Sequence, residues 1–176
     1  MSIKTTLAAV LIVIATMTGV VQAKSPAELN DLEIAHAAYT AGSIDIRYAH
    51  LALALSRDPE VRKFAKTMIR DHTAVNEQAL ALVKKLGITP KDNDVSRNLV
   101  KRSEALIAEL RALDGAAFDA RYASNELEYH RFVNGAVERI FIPNAKNADL
   151  KALLASALKV FKVHEGHAEK MAKIVN

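Results

Sequence analysis

Hydrophobic residues recur every three or four positions along most of the chain, which is the spacing of one face of an α-helix. One such stripe contains Val61, Ala65, Met68, His72, Val75, Ala79, Leu82 and Leu86. Every member except His72 is apolar. A second contains Leu150, Leu154, Ala157, Phe161, His164, Ala168, Met171 and Val175, again with one histidine. The pattern predicts long amphipathic helices rather than strands.

Capping residues set the predicted helix ends. The first helix is predicted to begin at Ser25 as N-cap, with Pro26 at the first helical position and Glu28 completing a capping box. It is predicted to run to about residue 56. The second helix is predicted to be capped by Asp58 and to end at Gly87.

A shorter helix is predicted over 95–113, and a long one from 114 that is closed by Pro143. The last helix is predicted to begin near Ala148 and to run to about Val175. Two helix pairs joined by a longer connection are typical of a ferritin-like fold. The sequence therefore predicts an all-α, ferritin-like four-helix bundle with a long crossover that contains a short extra helix.

Composition agrees with this fold and narrows the function classes. Only 5% of residues are aromatic, and 6 glycines and 4 prolines in 176 residues leave few helix breakers. The net charge is +4, without runs of basic residues interleaved with aromatics, so nucleic acid is not an expected partner. The chain has no cysteine, which excludes disulfides and thiolate metal ligands.

The first residues match a secretory signal peptide. Lys4 precedes an apolar run from Leu7 to about Ala15, and small residues at Val21 and Ala23 mark a cleavage site. We therefore expect residues 1–23 to be a signal peptide, residues 24–176 to be the bundle domain, and the mature protein to lie in the periplasm without stable membrane insertion. An uncleaved membrane anchor is the alternative.

Polar residues interrupt the predicted inward stripes at similar depth. In the first helix the predicted stripe is Leu32, Ala35, Tyr39, Gly42, Ile46, Ala49 and Leu53, with Asp45 at its edge. Asp45 lies 13 residues before Asp58, and His72 lies 14 residues after it. His130 and His164 occupy matching heights on the other helix pair, to within about one turn. The sequence thus predicts one carboxylate and three imidazoles in a single layer.

Imidazole and carboxylate groups on facing helices suit a first-row metal ion such as iron, zinc, manganese or copper. The predicted ligands are Asp45, His72, His130 and His164. The outer-shell candidates are Asp71, Tyr122 and Glu126. The alternative is a polar layer that is only hydrogen-bonded. The Glu-x-x-His pattern of di-iron carboxylate proteins is absent, because Ile69 and Phe161 stand three residues before His72 and His164.

The stretch "DPEVRKFAKTMIRDHTAVN", with "FDARY" and "VHEGHAEKM" later in the chain, resembles a bacterial family of exported ferritin-like proteins of unknown function. Its members are often labelled outer-membrane proteins. The resemblance covers roughly residues 29–174 and implies a helical bundle outside the cytoplasm. The family usually has glutamate where this chain has Asp45. The resemblance implies no activity.

Two functions therefore stay open. The first is an exported metal-binding bundle for metal buffering or oxidant defence. The second is a non-enzymatic interaction or stress protein whose polar layer is structural. No nucleophile has a base at a spacing typical of a hydrolase, so the sequence does not establish an enzyme. A protein partner or a homodimer also stays open.

Overall fold

In a computed structural model of the chain, residues 26–175 are described, and all regular elements among them are helical. A short 3₁₀ turn at Pro26–Glu28 comes first. The remaining elements are α1 (Asp31–Leu55), α2 (Pro59–Leu86), α3 (Asp94–Arg111), α4 (Gly115–Ala136), a π-helical turn (Val137–Phe141), the single turn α5 (Ile142–Asn144) and α6 (Ala148–Val175). The prediction of an all-α domain is confirmed.

The start of the first helix differs from the prediction. The N-cap is Asn30, whose side chain accepts hydrogen bonds from the backbone of Leu32 and Glu33, while Glu33 completes the capping box. Pro26 and Glu28 instead form the preceding 3₁₀ turn, and Ser25 lies outside the described residues. Residues 25–28 and residues 30–33 both match the capping-box pattern. The pattern alone therefore does not decide which of the two segments begins the helix.

Both ends of α2 lie where the sequence places them, whereas the helix predicted to close at Pro143 ends at Ala136 and is followed by two further helical turns up to Asn144. Asp58 caps α2 by accepting from the backbone of Glu60 and Val61, and Pro59 is the first helical residue. Gly87 ends α2 with φ of 63°, a left-handed conformation that glycine adopts without a Cβ clash.

Two helix pairs form the body of the domain. The α1 and α2 helices pack along each other, α4 packs along α6, and α2 contacts α6 across the two pairs. The shorter α3 lies against α1 in the connection between the pairs. Gly42 allows the close approach of α1 and α2, because a Cβ there would lie 2.6 Å from the Asn76 side-chain oxygen.

The buried face of α1 is rotated relative to the predicted stripe. Ile34, Ala37, Ile44 and Tyr48 are buried, whereas Tyr39, predicted to reach inward, is 36% exposed. The helix contacts α2, α3 and α4, so its buried surface is wide. Alanines on all sides of α1 make its orientation difficult to read from spacing alone.

A π-helical turn at Val137–Phe141 follows α4, with the Ile142 amide bonded to the Val137 carbonyl. Such a turn inserts one residue into the helix, and here both Val137 and Phe141 remain buried. Of the helices in residues 26–175, none combines the length and the apolar character needed to cross a membrane. The predicted signal peptide lies outside these residues.

Candidate metal centre

Four helices each contribute one polar side chain to a layer in the middle of the domain. Asp45 comes from α1, His72 from α2, His130 from α4 and His164 from α6, and none is more than 5% exposed. The heights estimated from the sequence are therefore correct. Asp45, predicted at the edge of its stripe, is instead fully buried at the centre of the helix contacts.

The three imidazole rings surround a common space. Ring centroids lie 5.9 Å apart for His72 and His130, 5.7 Å for His130 and His164, and 5.4 Å for His72 and His164. One nitrogen from each ring lies within 4.8 Å of the others. A first-row ion with bonds of about 2.1 Å joins ligands up to about 4.2 Å apart, so small side-chain adjustments suffice to close the site.

Neighbouring groups fix which nitrogen of two histidines carries the proton. His130 Nδ1 donates to the Glu126 backbone carbonyl at 2.8 Å, and His164 Nε2 donates to Asp71 Oδ2 at 2.9 Å. The Arg70 hydrogen bond lowers the pKa of Asp71 to about 2, so Asp71 accepts as a carboxylate. The lone pairs of His130 Nε2 and His164 Nδ1 are left for another partner.

Both of these histidines favour the neutral form. Burial lowers the pKa of His130, and burial lowers that of His164 to about 4. Burial raises the pKa of Asp45, but His72 and His130 outweigh that effect and hold it below its usual value. Asp45 is therefore ionised while His130 and His164 are neutral, which is the protonation state that metal ligands require.

Several atoms in this layer lack hydrogen-bond partners in the described part of the chain. They are both oxygens of Asp45, both ring nitrogens of His72, Nε2 of His130 and Nδ1 of His164. His72 Nε2 lies 3.0 Å from Asp45 Oδ2, within ion-pair distance, but the contact does not have hydrogen-bond geometry. Buried polar groups are nearly always paired, so this concentration of unpaired atoms points to a ligand.

Asp45 lies between two of the histidines. Its Oδ2 is 3.0 Å from His72 Nε2 and 3.3 Å from His130 Nε2. Glutamate is usual at this position in the family that the chain resembles, and aspartate is one methylene shorter. Asp45 nevertheless reaches His72. Since His130 Nε2 presents a lone pair, its approach to a carboxylate oxygen is favourable only when a cation or a proton lies between them.

A second acidic group adjoins the layer. Glu126 is fully buried, and Asp45, Glu126 and His130 form another set of potential ligands. Burial, reinforced by Asp45, raises the pKa of Glu126 well above its usual value. Burial also raises the pKa of Tyr122, whose hydroxyl has no hydrogen-bond partner among the described residues. Burial therefore favours the protonated form of both side chains.

Comparison with known proteins assigns the chain to a family. A family model described as "Domain of unknown function (DUF4142)" matches residues 16–171. The chain belongs to this family. No curated protein and no solved structure matches the chain. Membership in DUF4142 supports the prediction of an uncharacterised family and brings no assigned activity.

The three outer-shell candidates of this DUF4142 domain all lie beside the layer but contact it in different ways. Asp71 accepts a hydrogen bond from His164 and orients its ring. Glu126 serves His130 through its backbone carbonyl, while its carboxylate lies 3.7 Å from the ring. Tyr122 is buried beside the layer without bonding to it. Glu126 and His130 are four residues apart in one helix, a spacing that favours a side-chain pair. The same spacing brings the Glu126 backbone carbonyl to the His130 ring, and the carbonyl is closer to the ring than the carboxylate is.

Sequence reasoning missed several residues that shape the site. Phe161 stacks on His72 with ring centroids 4.4 Å apart and 8° between the planes. Asn134 donates to the Phe161 carbonyl and to Glu165, and so ties α4 to α6. Asn76 donates to the Ser43 hydroxyl between α1 and α2. A buried asparagine one helical turn after each of His72 and His130 was the available signal.

The remaining histidines lie outside the layer. His36 bonds to the Ser96 hydroxyl at 2.9 Å, while His50 and His167 are exposed. Their burial and contacts place them at the surface of the domain or at its boundary. They provide natural controls for substitutions in the buried layer.

Proposed function

We propose that this chain is an exported, ferritin-like helical bundle that binds one first-row transition-metal ion through Asp45, His72, His130 and His164. The N-terminal signal pattern supports export to the periplasm, and the pairing of helices supports the ferritin-like arrangement. The proposed role is metal buffering or protection against oxidants.

The observation that carries this proposal is the approach of Asp45 Oδ2 to His130 Nε2 at 3.3 Å. The carboxylate is ionised, and the ring nitrogen presents a lone pair, because its other nitrogen donates to a backbone carbonyl. Two electron-rich atoms at this distance repel each other in a buried layer. A cation between them converts the repulsion into two bonds, and it also satisfies His164 Nδ1.

The donor set favours a mononuclear site. Three imidazoles and one carboxylate provide four bonds, which suits zinc as a closed tetrahedral site and leaves positions open for iron or manganese. Burial raises the pKa of the neighbouring Glu126, which would have to be ionised to become a ligand. The carboxylate-poor set therefore differs from a bridged di-iron centre.

The test is elemental analysis of mature protein purified without a polyhistidine tag, followed by titration of the metal-free protein with Zn²⁺ and Co²⁺. We expect about one ion per chain and a visible Co²⁺ spectrum typical of nitrogen and oxygen ligands. His72→Ala should weaken binding more than 100-fold, above the range of an outer-shell loss, roughly 10- to 100-fold.

The matched control is His50→Ala, which removes an exposed imidazole from the same domain. It should leave both the stoichiometry and the spectrum unchanged. Equal binding by His72→Ala and the wild type would place the ion elsewhere and refute the proposed site. If no ion binds the wild type, the layer has only the structural role that is the competing hypothesis.

A further inference from the structure

An apolar pocket of about 320 Å³ leads from the domain surface to the candidate metal centre. It lies between α1, α2, α4 and α6 and follows the second half of α2 from His72 towards Leu86. That distance along the helix is about 21 Å, from 14 residues at about 1.5 Å each. The volume falls at the lower end of the range for small-molecule pockets, about 300 to 1,000 Å³.

Small side chains create this space. Ala35, Ala38 and Gly42 face it from α1, Ala79 from α2 and Ala157 from α6. Larger apolar residues, including Val75, Leu82, Val83 and Leu154, complete the wall. The stripe that continues past His72 in the sequence therefore lines an open channel instead of a closed core, and Val75, Ala79 and Leu82 are only partly buried.

The inner end of the pocket differs chemically from its wall. Asp45, His72 and His130 line this end, all at most 5% exposed and all with unpaired polar atoms. An ion held by these residues would therefore have the pocket beside it. Any further ligand that reaches the ion through this opening passes along an apolar wall.

We propose that the pocket binds a monocarboxylate with an unbranched aliphatic tail, whose carboxylate becomes a ligand of the metal ion while its tail lies between α1, α2, α4 and α6. This inference rests on the proposed function, because the metal ion supplies the anion-binding charge. It specifies the class of molecule that the centre would accept.

Charge balance selects a carboxylate over other head groups. A divalent ion bound by the Asp45 carboxylate and three imidazoles, which bind metal in their neutral form, leaves a net charge of +1 in a buried layer. A buried net charge is costly unless it is paired, and a carboxylate neutralises it. An amine would add to the charge, and an alcohol would leave it uncompensated.

The apolar lining of the pocket favours an aliphatic tail over a polar one. Asp31 and Asn147 lie at the outer end of the pocket, and aliphatic residues form most of the stretch between the two ends. Among the polar side chains that also line this stretch, His36 and Asn76 already have hydrogen-bond partners within the domain. A polar chain in this stretch would lose its hydrogen bonds to water without replacement. Each buried methylene of an aliphatic chain instead contributes about 0.8 kcal/mol.

The experiment titrates decanoate into zinc-loaded and metal-free protein by calorimetry, with acetate as the probe that lacks a tail. We expect decanoate to bind the zinc-loaded protein at least about tenfold more tightly than the metal-free protein. Acetate should bind far more weakly, because it gains nothing from the wall. Equal decanoate affinity with and without zinc would overturn the inference.

Ala79→Phe fills the channel two helical turns from His72, and Ala81→Phe places the same ring on the exposed face of α2. The first variant should lose decanoate binding at least about tenfold while retaining zinc affinity. The second should match the wild type in both. Ala157→Leu narrows the channel from α6 and replaces the first variant if Ala79→Phe does not fold.

The outcomes separate the two proposals. Normal zinc binding with no decanoate binding, or with equal binding by Ala79→Phe and Ala81→Phe, refutes the tail pocket and leaves the metal site intact. Absence of zinc binding in the wild type refutes the proposed function and removes this inference with it. Tighter decanoate binding that requires both zinc and an open channel supports the inference.

Discussion

His164 Nε2 lies 2.9 Å from Asp71 Oδ2, and this hydrogen bond joins α6 to α2 beside the candidate metal centre. The carboxylate holds the ring so that Nδ1 is the nitrogen left for an ion. Carboxylate–histidine pairs of this kind orient metal ligands and raise their basicity. The pair therefore provides a way to change the centre without removing any of its ligands.

Asp71→Asn should weaken metal binding by roughly 10- to 100-fold, because an amide orients His164 less strongly and does not raise its basicity. Competition with a chelator of known affinity measures the change. Asp149→Asn is the control, since Asp149 is exposed and paired only with Lys85 on the surface. Equal affinities for the two variants would show that Asp71 has no part in binding.

Metal should raise the melting temperature of the wild-type protein. A ligand that binds only the folded state stabilises it by about 2.7 kcal/mol at 100 times its dissociation constant. His130→Ala should abolish the metal-dependent increase, whereas His167→Ala, on the exposed face of α6, should preserve it. Calorimetric scans with and without Zn²⁺ test this prediction. An increase retained in His130→Ala would argue against the ligand set.

The metal-free protein should lose stability as the pH falls from about 6.5 to about 4. His164 has its pKa lowered to about 4 in the folded state, so over this interval the unfolded chain takes up the proton first and unfolding becomes easier. The loss attributable to His164 is on the order of 1 to 3 kcal/mol. His164→Gln should flatten the slope of unfolding free energy against pH in urea titrations. An unchanged slope would contradict the depressed pKa.

Glu126→Gln should change the stability of the metal-free protein by less than about 1 kcal/mol at pH 7. The reason is that burial raises the pKa of Glu126 and favours its protonated form, which an amide of the same shape replaces. Asp45→Asn is the informative comparison, because Asp45 is ionised and close to two histidines. A large loss of stability in Glu126→Gln would mean that Glu126 is charged.

Gly42→Ala should destabilise the domain by about 1 kcal/mol, because its Cβ would displace Asn76 from its hydrogen bond to Ser43. Gly166→Ala is the matched control within a helix, where a new Cβ meets nothing within 4 Å. It should stabilise the domain by roughly 0.5 to 1 kcal/mol through helix propensity. Urea unfolding of both variants gives the comparison, and a stabilised Gly42→Ala would argue against the close helix contact.

The sequence predicted the helices and the depth of the polar layer well, and it predicted orientation less well. Asp58 and Gly87 are local signals, since each acts on the backbone beside it. Depth follows from counting at a fixed rise per residue. The rotation of α1 depends on neighbours that are distant in sequence, and for this reason Tyr39 was misplaced and Asp45 was put at an edge.

The same difference between local signals and contacts distant in sequence applies to the candidate site. His72, His130 and His164 were identifiable because each breaks an apolar stripe. Asp71 and Glu126 were identifiable as candidate partners, but the exact pairing was not, because a choice such as backbone carbonyl over carboxylate at Glu126 depends on differences of about 1 Å. The apolar pocket was also missed, since a helical stripe reads the same whether it faces a packed core or an open channel.

Each of the four helices supplies a single candidate ligand, so neither helix pair alone contains the whole set. Asp45 and His164 are 119 positions apart, and they meet only after both helix pairs have docked. An ion captured there would be acquired late in folding and in the compartment where folding finishes. Which element the protein carries would then depend on what that compartment supplies as much as on intrinsic affinity.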